Sequence, residues 1–223
     1  GLGDVYKRQI INLSDRIILM NMIGSEATGL YAVSYKFPNL MDTVYGFFYQ
    51  SWKESSARVL GGESQDEFYN SVYEYLKNFL FSIVLGMIAF MPIVFRILIN
   101  KNYYSAIYYV PILLLATYFA NISGFYGGIF TAYKDTKIMG TTTVVAAIIN
   151  LAVNIIMIRS LGIYAAAIST LVANFTVYIY RRIKVGKYIK LKENWKNRIV
   201  SLIICVLIIT VSYTHLRAHE TEL

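Results

Sequence analysis

Long apolar runs without any charged residue recur along the chain. Residues 78–95, 141–158 and 162–180 contain no Asp, Glu, Lys or Arg. An uncharged, mainly apolar run of about 18 or more residues is typical of a transmembrane helix, because about 20 helical residues span the hydrocarbon core of a bilayer. No alternating strand pattern of about ten residues recurs, which argues against an outer-membrane barrel. The pattern predicts an all-α polytopic membrane protein.

The boundaries of the apolar runs predict about seven transmembrane helices. Short polar connections join most of them, and longer links are expected at 54–75 and 184–197. The first of these links is rich in glycine and acidic residues, which suits a surface loop. The predicted helical segments are 10–24, 27–53, 76–98, 105–132, 138–158, 162–183 and 198–214.

Composition and charge agree with a membrane location and indicate an orientation. The chain of 223 residues is 57% hydrophobic and 15% charged, whereas soluble domains are about one half apolar and about one quarter charged. The formal net charge is +8, and most basic residues lie in short links between apolar runs. Because basic loops stay on the cytoplasmic side, the link 184–197 is predicted to be cytoplasmic. A surface for anionic lipid is the alternative; a nucleic-acid partner is not expected, because no soluble basic module is present.

The two ends resemble translated adapter sequence rather than protein. Residues 1–9 and 211–223 are therefore excluded from the fold prediction, which leaves residues 10–210. The only histidines, His215 and His219, fall in the second excluded segment, and Cys205 is the single cysteine. The sequence also has no phosphate-binding loop and no nucleophile elbow. We expect no enzyme activity, no metal and no cofactor.

Charged residues inside predicted membrane segments are the first candidates for function. Such residues are costly in lipid and usually face a cavity or a partner. Asp15 and Arg16 lie in the first segment, where a local ion pair and a substrate contact are both consistent with the sequence. Lys36 and Asp42 lie in the second segment.

The second segment also carries a polar stripe when it is projected as a helix at 100° per residue. The stripe suggests a hydrophilic cavity; polar packing against other helices is the alternative. Lys36 flanks it, and its members are Tyr31, Tyr35, Asn39, Asp42, Gly46, Gln50 and Lys53.

Two asparagines and a group of small residues are softer signals. Asn150 and Asn154 are four residues apart, hence on one face of a helix, where they could hydrogen-bond to another helix or line a cavity. The small residues Ala165–Ala167, Ser169 and Thr170 predict a surface for close helix packing.

Several stretches together resemble one family of transporters. They are S-D-R-I-I-L (14–19), G-S-E-A-T-G-L-Y-A-V-S-Y-K (24–36), T-A-Y-K-D-T-K (131–137) and the run 146–170. In this order they resemble the C-terminal half of the polysaccharide-biosynthesis flippases. These belong to the multidrug/oligosaccharidyl-lipid/polysaccharide exporter superfamily. The resemblance implies one lobe of a two-lobe exporter fold of 12 or 14 helices, incomplete at both ends.

This resemblance implies a substrate and partners. The substrate would be an oligosaccharide on polyprenyl diphosphate, flipped across the bacterial cytoplasmic membrane for surface polysaccharide synthesis. The partners would be the lipid bilayer, the N-terminal lobe of the same chain and a polysaccharide polymerase. Alternatives are a multidrug or cation exporter of the same superfamily, a non-transporting component of a polysaccharide assembly complex, and a membrane enzyme acting on lipid-linked sugar.

The resemblance also assigns roles to the candidate residues. Arg16 and Lys36 would contact the anionic head of the lipid carrier. Asp15 and Asp42 would couple transport to an ion or form ion pairs. The sugar would contact Tyr31, Tyr35, Asn39 and Gln50.

Overall fold

The computed structural model describes residues 13–192, and every regular element in that range is helical. Residues 13–22 form helix α1. A 3₁₀ helix, Lys101–Tyr108, precedes α5. The remaining helices are α2 (Ser25–Ser34), α3 (Lys36–Arg58), α4 (Gln65–Leu98), α5 (Val110–Ala132), α6 (Lys137–Leu161) and α7 (Ile163–Val185).

The all-α polytopic fold predicted from the sequence is confirmed. The runs 78–95 and 141–158 lie within α4 and α6, and the run 162–180 lies within α7 apart from its first residue, Gly162. Those helices and α5 are long and apolar enough to cross a membrane. The predicted segment 198–214 lies outside the described residues, as do residues 1–12 and the last part of the link 184–197.

The predicted start of α4 is wrong by 11 residues, because the helix begins at Gln65 rather than at 76. Tyr69 and Tyr73 are almost completely buried on the same helical face as Leu76, although charged residues surround them in the sequence. The link predicted at 54–75 shrinks to the residues between Arg58 and Gln65.

The second predicted segment is interrupted at Tyr35, where α2 ends and α3 begins. Pro38 explains the break, because proline has no N–H to donate to the carbonyl of Ser34 four residues earlier. The hydroxyl of Ser34 is buried there, and its one hydrogen is shared between the carbonyls of Leu30 (2.8 Å) and Ala106 (2.9 Å). The break is thus tied to the 3₁₀ helix beside it.

Helix α5 lies at the centre of the bundle, against α3, α4 and α7, while α6 packs along α7. Two glycines let α3 approach α5 closely. A Cβ atom on Gly124 would lie 2.5 Å from Tyr45 Oη, and one on Gly128 would lie 2.4 Å from Trp52 Nε1. Trp52 Nε1 donates to the Phe125 carbonyl at 2.9 Å. Large apolar side chains on α4 and α6 remain exposed, as expected of faces that meet lipid.

Candidate functional site at a four-helix junction

The carboxylate of Asp15 is completely buried and accepts three hydrogen bonds from neutral groups. Tyr31 Oη donates to Oδ2 at 2.7 Å, and Thr170 Oγ1 donates to the same oxygen at 2.8 Å. Asn154 Nδ2 donates to Oδ1 at 2.8 Å. These partners come from α2, α7 and α6, so four helices meet at one carboxylate.

Oxygen atoms crowd the surroundings of this carboxylate. Asn150 Nδ2 donates to Ser169 Oγ (3.1 Å) and to Thr170 Oγ1 (3.3 Å). The Oδ1 atoms of Asn150 and Asn154 are buried and accept no hydrogen bond from the described residues. Because a buried amide oxygen ordinarily has a partner, both are free to serve another ligand. One carboxylate, two amide oxygens and two hydroxyls form a donor set typical of hard cations.

Local sequence explains how these groups come together. Asn150 and Asn154 share one face of α6 because they are one helical turn apart. The facing part of α7 consists of the fully buried Ala165–Ala167, followed by Ser169 and Thr170. Small side chains let the two helices approach closely enough for asparagine amides to reach hydroxyls on the neighbouring helix.

Of the two roles that the sequence leaves open for Asp15 and Arg16, a local ion pair and a substrate contact, the structure does not show the ion pair. Arg16 is exposed, whereas Asp15 is buried among neutral donors. Neighbouring residues in a helix point about 100° apart, so the two side chains reach different surroundings.

The polar stripe of the second segment is divided between two environments. Lys36, Asn39 and Gln50 are exposed, Asp42 is partly buried, and Tyr35 is buried with Tyr31. The prediction of one continuous face is therefore wrong.

Packing against α5 is the physical reason for this division. The buried side of α3 is centred on Met41, Tyr45 and Trp52, about a quarter turn from the middle of the predicted stripe. One edge of the stripe is buried and the other is exposed.

Three buried groups of functional interest could not be recognised from the sequence. Ser169 and Thr170 are predicted only as a packing surface, because small hydroxyl residues carry no charge that marks them. Arg181 is completely buried in α7. It donates to the Thr142 hydroxyl (2.8 and 3.0 Å) and to the Ser123 carbonyl (3.1 Å), so it joins α7 to α6 and α5.

Among the described residues, no three His, Cys, Asp or Glu side chains cluster as ligands for a transition metal. The Asp15 junction instead offers a single negative charge and several neutral oxygens.

Helix order and packing define the class of fold: the lobe has the architecture of about half of a MATE transporter and of the MurJ flippase. It superposes on the Vibrio cholerae MATE transporter VcmN with a TM-score of 0.73 and 16% identity, covering 99% of this chain and 53% of that one. For an outward-facing multidrug resistance MATE transporter of the MOP superfamily, the TM-score is 0.70, the identity 18% and the coverage 87% and 45%. For the lipid II flippase MurJ in an inward closed conformation, these values are 0.65, 15%, and 95% and 46%.

At these identities the likeness concerns the fold. No protein-family profile and no curated protein matches the chain. The chain spans about half the length of the transporters on which it superposes.

Proposed function

We propose that this chain is one lobe of a cation-coupled flippase for polyprenyl-diphosphate-linked oligosaccharides. The fold supports a transport role, because it is shared with multidrug transporters and with a flippase for lipid II. The observation that carries the proposal is the pairing of two features in one lobe. The buried carboxylate of Asp15 joins four helices. The exposed polar face, which consists of Lys36, Asn39 and Gln50, begins at the start of α3.

The exposed face suits an anionic, sugar-bearing head group. Lys36 can attract a diphosphate, while Asn39 and Gln50 can hydrogen-bond to sugar hydroxyls. Arg16 adds a second exposed cation. In the complete protein this face would meet the cavity between the lobes, because a helix face with these residues is costly in lipid.

The Asp15 junction suits a monovalent coupling cation, which would be a transported co-substrate. One carboxylate neutralises one positive charge, and neutral amide and hydroxyl oxygens can complete the coordination. In the described arrangement Asn154 presents its amide nitrogen to Asp15. A half-turn of that amide would present its oxygen instead, as a bound cation requires.

A multidrug exporter is the second candidate, and its support is the number of MATE transporters among the structural neighbours. Both candidates accommodate the Asp15 junction. They differ at Lys36, because a cationic drug would be repelled by a lysine on its path.

The test is complementation with the full-length gene in a bacterium that lacks its own polysaccharide flippase. The wild-type gene is expected to restore surface polysaccharide, and Lys36→Ala to restore less than about one tenth, the effect of losing roughly 1.4 kcal/mol of binding. Lys36→Arg keeps the charge and is expected to retain activity. Lys101→Ala, which removes an exposed lysine from the 3₁₀ helix, serves as the matched control.

Variants at Asp15 address the coupling cation. Asp15→Asn is expected to reach the membrane at normal levels but to lose any dependence of transport on a sodium gradient. Drug resistance without restored polysaccharide in several hosts would reject the flippase in favour of the exporter. Full activity of Lys36→Ala would remove this residue from the substrate path.

The orientation belongs to the same proposal. The end of α7 carries exposed Lys184, and the described part of the following link carries exposed Lys187, Lys190 and Lys192. We place this end of the helix and the link in the cytoplasm. A cysteine at Lys187 in a Cys205→Ser background should react with a membrane-impermeant maleimide only after the cells are opened. Labelling in intact cells would reverse the orientation.

A further inference from the structure

We infer that the hydroxyl of Tyr31 makes the helix break between α2 and α3 respond to cation binding at Asp15. Tyr31 is then a positioning residue that connects the ion site to the polar face. The inference rests on the proposed function for the presence of a coupling cation, and goes beyond it by assigning the connection to one group.

The three donors to Asp15 are not equivalent. Asn154 and Thr170 belong to α6 and α7, which pack along each other. Tyr31 belongs to α2, and its hydroxyl donates to the same carboxylate oxygen as Thr170. Of the three donors to Asp15, only Tyr31 connects the α2–α3 pair of helices directly to the ion site.

Tyr31 also lies one helical turn before the break. Its carbonyl accepts the backbone N–H of Tyr35 at 3.0 Å, and the two rings have centroids 5.3 Å apart. Pro38 weakens the backbone ladder just beyond this point. Lys36 and Asn39 follow at once on the exposed face. A movement of the Tyr31 side chain would therefore displace the helix at the point where the polar face begins.

A cation at Asp15 changes what Tyr31 can do. The Tyr31 hydroxyl now directs its hydrogen at Oδ2. A cation bound to that oxygen needs lone pairs around it, so a donated hydrogen facing it is unfavourable. The hydroxyl must rotate to offer its own oxygen, or withdraw. The Thr170 hydroxyl would also have to rotate or withdraw, but it belongs to α7 and not to the helices that meet at the break.

In the described part of the chain, no charged side chain is among the groups that face Asp15 and could connect it to the helix break. The groups that face Asp15 are Tyr31 on α2, Asn150 and Asn154 on α6, and Thr170 on α7. None of these carries a formal charge at neutral pH. The experiment is done at one fixed pH, so cation occupancy is the only variable.

The test measures helix position with sodium alone as the probe. In the full-length protein with Cys205→Ser, spin labels are placed at Ser51→Cys on α3 and Ser160→Cys on α6, both exposed positions. Pulsed electron paramagnetic resonance records the distance distribution in sodium and in choline. Calorimetry measures sodium binding independently.

The expected result distinguishes the roles of the Tyr31 and Thr170 hydroxyls, which both donate to Oδ2 of Asp15. In the wild type, sodium should shift the distance distribution. Tyr31→Phe keeps the ring and should bind sodium within about fivefold of the wild-type affinity, as expected for one hydrogen bond, yet lose the shift. Thr170→Val should weaken sodium binding by a similar factor and keep the shift.

Contrary results identify which idea fails. The inference is overturned if Tyr31→Phe shifts like the wild type, or if Thr170→Val loses the shift equally, since then the hydrogen bond acts only through stability. If sodium neither binds nor shifts the wild type, the coupling cation itself is rejected and the inference falls with it. If Asp15→Asn abolishes the shift and Tyr31→Phe does not, the ion site stands and only the role of Tyr31 is lost.

Discussion

Replacing Gly128 by alanine tests the close contact between α3 and α5 that supports the exposed polar face. The added Cβ would lie 2.4 Å from Trp52 Nε1 and 2.6 Å from its Cδ1. Both distances are far below van der Waals contact, so the indole must move by about 1 Å. The indole has little room, because Trp52 is 2% exposed and its ring is stacked on Phe125 with centroids 4.3 Å apart.

The magnitude follows from three effects. Overpacking of a filled core costs about 1–3 kcal/mol. Displacing the indole also weakens its hydrogen bond to the Phe125 carbonyl, which adds about 1 kcal/mol. Alanine returns up to about 1 kcal/mol through its higher helix propensity. We expect Gly128→Ala to destabilise the protein by about 1–3 kcal/mol on balance.

Thermal unfolding of the full-length protein in detergent measures this loss. A destabilisation of that size should lower the midpoint by roughly 2–12 °C, taking about 2–4 °C per kcal/mol. The matched control is Gly86→Ala, inside α4, where an added Cβ meets nothing within 4 Å. That variant should melt at or above the wild-type temperature.

A second substitution shows whether the clash is with Trp52. Trp52→Phe should cost less in the Gly128→Ala background than in the wild type, because the smaller ring vacates the space that the new methyl needs. Equal melting of Gly128→Ala and Gly86→Ala, or strict additivity with Trp52→Phe, would refute the close contact.

Two further predictions concern hydrogen bonds at the ends of helices. Ser34→Ala should lower the free energy of unfolding by about 1 kcal/mol, because its buried hydroxyl donates to the Ala106 carbonyl; an unchanged melting temperature would remove this tie to the 3₁₀ helix. The Tyr188 hydroxyl donates to the Asp135 carboxylate, which raises the pKa of Tyr188 because ionisation would replace the bond by repulsion. Tyr188→Phe should therefore accelerate tryptic cleavage after Lys187 about fivefold, as for the loss of about 1 kcal/mol; cleavage at the wild-type rate would mean that the bond does not hold this segment.

The helices that cross the membrane could be predicted because their sequence leaves few alternatives. An uncharged apolar run such as that in α6 or α7 satisfies its backbone in lipid only as a helix. The start of α4 was harder to predict, because the acidic residues there are typical of a surface loop. Its signal was the spacing of Tyr69, Tyr73 and Leu76, which repeats every three or four residues as on one face of a helix.

The partners of Asp15 could not be predicted in the same way. They lie 16, 139 and 155 residues away along the chain, and no local period relates such positions. Asn150 and Asn154 were noticed because they repeat at one helical turn. Thr170 was predicted only as part of a packing surface, because only packing of α6 on α7 brings its hydroxyl to a carboxylate on α1.

The Asp15 junction also shows why an ion site and a helix arrangement become linked. A carboxylate removed from water loses several kcal/mol of hydration, and three hydrogen bonds from neutral donors return only part of this. The four helices must keep Tyr31, Asn154 and Thr170 in place to supply even that part. A bound cation would supply more, and would require those same groups to turn their oxygens inward. Under the proposed function, two arrangements of the junction would therefore compete, one with hydrogen-bond donors and one with a cation at the carboxylate, and a gradient of that cation would drive the lobe from one to the other.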